Sequence, residues 1–207
     1  MIMAFNDSLN QLKQRVSRVL SPRRFEHTLG VEEMSAKIGE LCLPDSVYDL
    51  RIAALLHDVA KEIDREELAK IASTDSKINA DDFKTPAALH AFCGPLIIKR
   101  DFPQFAKSNI LNAVFNHTTA DSDISVFDEI IYLSDYIEKG RTYTDCVTVR
   151  EYFFRECSMA KCLEQRLNVL HRSVYMELDN TVRALNNRGS NVNPRTYSAL
   201  EYFKDFL

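Results

Sequence analysis

The length, composition and charge of this chain are those of an ordinary globular protein. It has 207 residues, of which 45% are hydrophobic and 27% charged, so it can bury a core without help from disulfides or a metal. A net charge of −4 argues against a general nucleic-acid binder, whose surface would be basic. The apolar runs are too short to cross a membrane, and residues 1–20 lack the apolar core of a signal peptide. We therefore expect a cytoplasmic protein that partners neither nucleic acid nor membrane.

Hydrophobic residues recur at the helical period along nearly the whole chain. A stripe from Phe5 to Val19 predicts an N-terminal helix over about residues 5–20. Ser21 and Pro22 then supply the N-cap and first position of a second helix, which ends before Pro44. Further helices are predicted over about residues 45–61, 65–72, 87–101, 108–118, 126–138 and 160–187, with a short helix after Pro194. Residues 73–86 are predicted to form the longest loop.

Strand signals are weak throughout, so the predicted fold class is all-α, organised as a single domain over residues 1–207. The five cysteines are odd in number and form no C-x-x-C pair, which favours reduced thiols packed in the interior. The sequence leaves the oligomeric state open, and a homodimer is one option.

Histidine is scarce in this chain, which makes its positions informative. In the predicted helix over residues 45–61, one face is aliphatic, and the other carries His57, Asp58 and Lys61 at helical spacing. If protein also covers this second face, these polar groups are buried together. Buried charges require partners or a metal ion.

Three further polar residues, His27, His117 and Asp135, lie on apolar faces of other predicted helices. One such residue alone is usually a hydrogen-bonded or ion-paired part of the core. Together with His57 and Asp58 they occupy at least four helices, which favours a shared site over coincidence. Imidazole and carboxylate groups are suitable ligands for zinc, iron, manganese or similar cations.

Five segments extend this pattern: RFEHTLGV at residues 24–31, AALLHDVAK at 53–61, LHAFCG at 89–94, NHTT at 116–119 and IIYLSDYIEKGR at 130–141. In this order and spacing they resemble the YqeK-type family of metal-dependent HD-domain phosphohydrolases. A weaker echo is NPRT at 193–196, whereas residues 145–170 show no match. The set is far more specific than an isolated histidine–aspartate pair.

The resemblance implies an HD-domain helical bundle over about residues 21–145, with an added C-terminal helical segment over about 150–207. It also implies a bacterial symmetrical diadenosine tetraphosphate hydrolase, in which a metal-activated hydroxide attacks an inner phosphorus and yields two ADP. The implied ligands of one metal are His27, His57, Asp58 and Asp135. Those of a second metal are His90 and His117, with Asp58 bridging. The resemblance implies iron; the ligand types alone also permit manganese, cobalt or zinc.

The remaining motif residues supply candidates for catalysis and binding. We predict Asp58 and Lys61 as catalytic residues, with Lys61 holding a phosphate or orienting the nucleophile. Lys61, Arg24 and Arg141 are the predicted substrate-binding residues, because a guanidinium group forms forked hydrogen bonds with phosphate.

Two alternative functions need the same cluster of ligands. One is an HD-domain phosphohydrolase of another nucleotide, such as a nucleoside monophosphate or a cyclic nucleotide. The other is a non-catalytic module that senses a nucleotide. Replacing Asp58 by alanine separates enzyme from sensor, because hydrolysis vanishes only where the site is catalytic.

Overall fold

The computed structural model describes the backbone of residues 2–207 and the side chains of residues 8–207. Ten α-helices and no strands are found over these residues. The helices are α1 Ile2–Val16, α2 Pro22–Cys42, α3 Val47–Leu56, α4 Arg65–Ala72, α5 Leu89–Asp101, α6 Ser108–Asn116, α7 Val126–Ile137, α8 Thr144–Met159, α9 Leu163–Asn187 and α10 Pro194–Phe203. The predicted all-α class is confirmed. Within the described part of the chain, no helix has the length and apolar character needed to span a membrane.

Helix α2 has packing partners on several sides, since it contacts α3, α7 and α9. Its apolar positions Val31, Met34 and Ile38 are buried, as expected for an i, i+3, i+7 stripe. Helices α5, α6 and α7 pack against one another in chain order. The C-terminal ends of α3 and α6 and the N-terminal end of α5 bring His57, His117 and His90 into a row that continues to His27 of α2.

Helices α8, α9 and α10 form the C-terminal part of the bundle. Leu170, Val174 and Leu178 of α9 are fully buried, and α9 contacts α7, α8 and α10. The central part of α9 thus packs within the chain. The cysteines agree with the expectation of packed thiols: all five are free, and only Cys162 is exposed.

The predicted helix over residues 45–61 is wrong in its last turns. Helix α3 ends at Leu56, and residues 57–63 form tight turns and a bend, in which the Lys61 N–H donates to the Asp58 carbonyl at 2.8 Å. This segment contains no glycine or proline to mark the end. The contacts of its buried side chains, His57 and Asp58, set the local backbone instead.

The predicted loop at residues 73–86 contains a 3-10 turn whose Asp82 is fully buried. Two other predictions need correction. Helix α8, with Val149 and Phe153 buried, begins before the C-terminal helical segment predicted over about residues 150–207 and is separate from α9. Ser21 lies at the N-cap position, but its hydroxyl bonds to Glu62 instead of capping the helix. Phe5, predicted as the first residue of the N-terminal apolar stripe, lies outside the described side chains.

Candidate metal centre

Three histidines are fixed in the same way by the backbone. The Nδ1 atoms of His57, His90 and His117 lie 2.6, 2.9 and 2.7 Å from the carbonyl oxygen three residues earlier in the chain. A carbonyl oxygen can only accept a hydrogen bond, so each Nδ1 carries the proton of its ring. Each ring therefore turns its Nε2 atom into the site, where a neutral ring offers a lone pair that can bind a metal ion.

These Nε2 atoms gather around the carboxylate of Asp58. Asp58 Oδ1 lies 3.2 Å from His90 Nε2 and 3.6 Å from His117 Nε2, and Asp58 Oδ2 lies 3.5 Å from His57 Nε2. All four side chains are buried. The Nε2 atoms of His90 and His117 are 3.1 Å apart. Two bare lone pairs at this distance repel each other unless a proton or a cation lies near both.

His27 and Asp135 close the other side of the cluster. His27 Nε2 lies 2.9 Å from Asp135 Oδ1, and its Nδ1 lies 3.1 Å from Glu138 Oε1. The ring of His27 is 5.5 Å from the ring of His57, which in turn is 5.0 Å from that of His117. The site is thus one continuous row of imidazoles flanked by carboxylates.

Two overlapping sets of these side chains have donor atoms close enough to share a metal ion. One set is His27, His57 and Asp135, and the other is His57, Asp58 and His117. The Nε2 atom of His57 belongs to both sets and is buried without a hydrogen-bond partner. Such an atom is costly unless something binds it. The donor set therefore fits a metal such as iron, manganese, cobalt or zinc.

The charges of the cluster follow from its contacts. Burial would raise the pKa of Asp58, but the facing histidines hold it well below its usual range. Burial lowers the pKa of His90 to about 4, so this ring stays neutral. For His27, burial also lowers the pKa, but hydrogen bonds to Asp135 and Glu138 outweigh it and raise the pKa to about 9. A cation that binds His27 must therefore displace a proton.

Three basic side chains reach the same cluster. Arg24 Nη1 lies 2.8 Å from Asp58 Oδ2, and Arg141 Nη2 lies 2.8 Å from Asp135 Oδ1. Lys61 Nζ lies 3.1 Å from His90 Nε2, and burial lowers its pKa. The three residues predicted to bind phosphate thus surround the carboxylates and histidines.

A cleft of about 910 Å³ opens beside His27. Its lining includes Arg23, Arg24, Lys139 and Arg141. Three glutamates, Glu26, Glu62 and Glu138, line the cleft as well. Its volume suits a nucleotide-sized ligand, and its arginine and lysine side chains can bind phosphate groups.

Comparison with known proteins identifies the family. Residues 24–140 match the model of the HD domain. A symmetrical bis(5'-nucleosyl)-tetraphosphatase of Halalkalibacterium halodurans is 31% identical over 66% of this chain and 72% of its own length. The chain belongs to the HD domain family. A Bacillus subtilis protein with the same description is 29% identical over 66% of this chain and 72% of its own.

A solved structure agrees with the HD fold. It is described as a predicted HD superfamily hydrolase involved in NAD metabolism from Clostridium acetobutylicum. The two chains superpose with a TM-score of 0.80 at 24% sequence identity, over 95% of this chain and 96% of that one. The resemblance to the YqeK-type HD family is confirmed by the sequence relatives, and so is the prediction of an enzyme, a phosphohydrolase.

In this HD domain, Glu138 has a place that the sequence analysis did not assign. Its side chain is buried and faces His27 Nδ1. A Cβ atom at Gly30 would lie 2.5 Å from Glu138 Oε2, so glycine at that position leaves room for the carboxylate. The available signal was an acidic residue three positions after Asp135, directly after the end of α7.

Arg150 of α8 also escaped prediction. Its Nη1 atom lies 3.0, 2.8 and 3.3 Å from the carbonyl oxygens of Ile137, Glu138 and Arg141. Arg150 thereby fixes the turn that carries Arg141 beside Asp135. It lies in the part of the chain without recognisable motifs, so nothing in the sequence marked it.

All predicted site residues lie in this one cluster, which spans five helices and the turns beside them. The metal ligands proposed from the sequence are His27, His57, Asp58, His90, His117 and Asp135. Their roles, and those of Lys61, Arg24 and Arg141, stay predictions that the experiments below are designed to test.

Proposed function

We propose that this chain hydrolyses diadenosine tetraphosphate symmetrically, giving two molecules of ADP. The observation that carries the proposal is the histidine cluster, in which the Nε2 atoms of three backbone-tethered rings face Asp58 and His27 faces Asp135. Relatives described as symmetrical bis(5'-nucleosyl)-tetraphosphatases support the choice of substrate. The arginine and lysine side chains that line the cleft beside the cluster are consistent with a polyphosphate.

The cluster is proposed to hold two metal ions. His27, His57, Asp58 and Asp135 would hold the first, and His90 and His117 the second, with Asp58 shared. When bound, such a pair lowers the pKa of a water molecule and neutralises charge on phosphate oxygens. The family resemblance favours iron, and the nitrogen and oxygen ligands also suit manganese, cobalt or zinc.

The chain's own residues bind and orient the substrate. Arg24 and Arg141 line the cleft with guanidinium groups that can donate forked hydrogen bonds to phosphate oxygens. Lys61 lies deeper, beside His90, and is suited to a phosphate oxygen near the bond that breaks. Since water adds to one inner phosphorus and the other ADP departs with the bridging oxygen, this reaction consumes one water.

Chromatography of the reaction products tests the proposal. The purified protein is incubated anaerobically with diadenosine tetraphosphate and ferrous iron, beside a sample that contains a chelator. We expect ADP as the only product, and no turnover with the chelator. His171→Asn is the matched control, because His171 is the one histidine outside the cluster and pairs with Glu129. This variant should keep its activity, whereas His57→Asn should lose it.

Other products would point to other functions. ATP together with AMP would show asymmetric attack and contradict the proposal. Turnover of a nucleoside monophosphate or a cyclic nucleotide, without turnover of the tetraphosphate, would replace the substrate and keep the phosphohydrolase. Nucleotide binding without any turnover would favour a sensing module.

A further inference from the structure

Helix α10 begins beside the turn that follows His117. The hydroxyl of Thr196 donates to the carbonyl oxygen of Thr119 at 2.9 Å, and both residues are 3% exposed. The adjacent Arg195 places its Nη1 atom 3.0 Å from Asp121 Oδ2. Two neighbouring residues of the C-terminal helix are therefore hydrogen-bonded to the turn at residues 119–121, more than seventy positions earlier in the chain.

The turn that these two residues bind is strained. Ala120 has a φ of 54° and is fully buried, in the left-handed region that residues with a Cβ atom rarely adopt. Its N–H donates to the carbonyl of Asn116 at 2.8 Å, which ends α6. The contacts from α10 fall on either side of this residue, at Thr119 and Asp121. Strain of this kind persists only where surrounding contacts hold it in place.

The strained turn is joined directly to the second pair of histidines. His117 precedes Ala120 by three residues, and Thr118 Oγ1 lies 3.3 Å from His90 Nε2. A relaxation of the turn would therefore move the groups that set the 3.1 Å separation of the two Nε2 atoms.

Arg195 also touches the two helices that carry these histidines. Its guanidinium carbon lies 5.8 Å from the ring centre of Phe92 and 5.2 Å from that of Phe115, each two residues from its histidine. The guanidinium is fixed from the other side by the buried carboxylate of Asp82, at 3.1 and 3.2 Å. Arg195 thus has a fixed orientation against both helices.

We propose that Thr196 and Arg195 are positioning residues, which hold His90 and His117 in the arrangement that binds the second metal ion. This inference rests on the proposed function, because it presumes that the pair binds a metal. It gives the NPRT segment a role: α10 supports the positions of two proposed metal ligands without contributing a ligand itself.

The test compares metal binding and histidine geometry in matched variants of the full chain. Thr196→Val removes the hydroxyl at nearly constant volume, and Thr196→Ser restores it. Asn191→Ala is the control, because Asn191 ties the same segment to the Lys84 carbonyl at 3.2 Å without touching the turn. Mn²⁺ is titrated into metal-free protein by calorimetry. Long-range proton–nitrogen correlation spectra report the tautomer of each histidine without metal.

We expect the wild type to bind two Mn²⁺ ions, and Thr196→Val to bind one of them at least tenfold more weakly. The spectrum of His117 should then show a mixture of tautomers, while that of His57 stays unchanged. Thr196→Ser and Asn191→Ala should behave as the wild type. The idea is overturned if Thr196→Val keeps both ions and an unchanged His117 signal, or if Asn191→Ala loses the same ion.

Two further outcomes distinguish a failure of this inference from a folding defect and from a failure of the proposed function. If Thr196→Val does not fold, Asp121→Asn carries the same test, since it weakens the contact with Arg195 from the turn itself. If the wild type binds no Mn²⁺, the proposed metal centre fails. The His117 spectrum then still decides the positioning role, because a fixed tautomer that is lost in Thr196→Val supports it and an unchanged one contradicts it.

Discussion

Two buried polar clusters in this chain contain similar side chains but are satisfied in opposite ways. In the first, the carboxylate of Asp82 accepts hydrogen bonds from Arg195, from Asn193 and from the Asn79 N–H. In the second, the histidine cluster, the Nε2 atoms face Asp58 and one another, and that of His57 has no hydrogen-bond partner.

The contrast separates a closed cluster from an open one. The pKa of Asp82 is lowered despite its burial, because Arg195 and neighbouring donors stabilise the anion. Its acceptors are matched by donors of the protein, so this cluster is suited to hold segments together. Around Asp58, three histidine nitrogens face the anionic oxygens. Arg24 binds Asp58 and Lys61 lies beside His90, but the Nε2 atom of His57 has no partner. Such a set of nitrogen and oxygen ligands is suited to a metal ion.

The largest effect is expected from Asp58→Ala, which removes the central carboxylate of the open cluster. Loss of the proposed shared ligand should lower the rate of tetraphosphate hydrolysis about a thousandfold, equivalent to about 4 kcal/mol. Steady-state kinetics measure the effect, with exposed Asp205→Ala as the control. A rate within a factor of a few of the wild type would show that Asp58 has no part in catalysis.

Asp82→Ala tests the closed cluster and should act on stability. Removing a fully buried carboxylate from Arg195 should lower the free energy of unfolding by about 3 kcal/mol. Denaturation with urea measures this change. Asp81→Ala, at an exposed pair with Lys84, should change it by less than about 1 kcal/mol. Equal effects of the two variants would contradict the assigned role of Asp82.

Glu138→Gln should weaken metal binding at the His27 side by about tenfold, because partners of ligating histidines typically contribute 10–100-fold to affinity. The neutral amide still fits beside Gly30, so the fold should be kept. Calorimetric titration with Mn²⁺ measures the change. An affinity equal to that of the wild type would mean that Glu138 does not support His27.

The protonation of His27 predicts a pH dependence. Since its pKa is raised to about 9, the ring is protonated at neutral pH and must lose that proton when a metal binds. Metal affinity at this side should therefore rise by up to about tenfold per pH unit between pH 6 and 8. Glu138→Gln should flatten this slope. An affinity that falls as the pH rises would contradict the assignment.

Much of the open cluster could be predicted from the sequence. Polar residues such as His27 and Asp135 stand out on apolar helix faces, and the motifs around them lie in a recognisable order. Local signals also placed α4 correctly at residues 65–72.

The closed cluster could not be predicted, because tertiary contacts alone define it. Asp82 lies in a polar segment that reads as a loop, and its partner Arg195 follows more than a hundred residues later. The end of α3 at Leu56 could not be predicted for a similar reason, since buried contacts of His57 and Asp58 end the helix without a glycine or proline. The role of Glu138 depends on space left by a glycine of another helix.

The most direct test of the open cluster is the metal content of purified protein, measured by inductively coupled plasma mass spectrometry. His57 belongs to both candidate sets of ligands, so His57→Ala should disturb both. The account predicts about two metal ions per chain in the wild type and in His171→Asn, and far fewer in His57→Ala. Equal metal content in wild type and His57→Ala, or a wild type that binds no metal after incubation with ferrous iron, would contradict it.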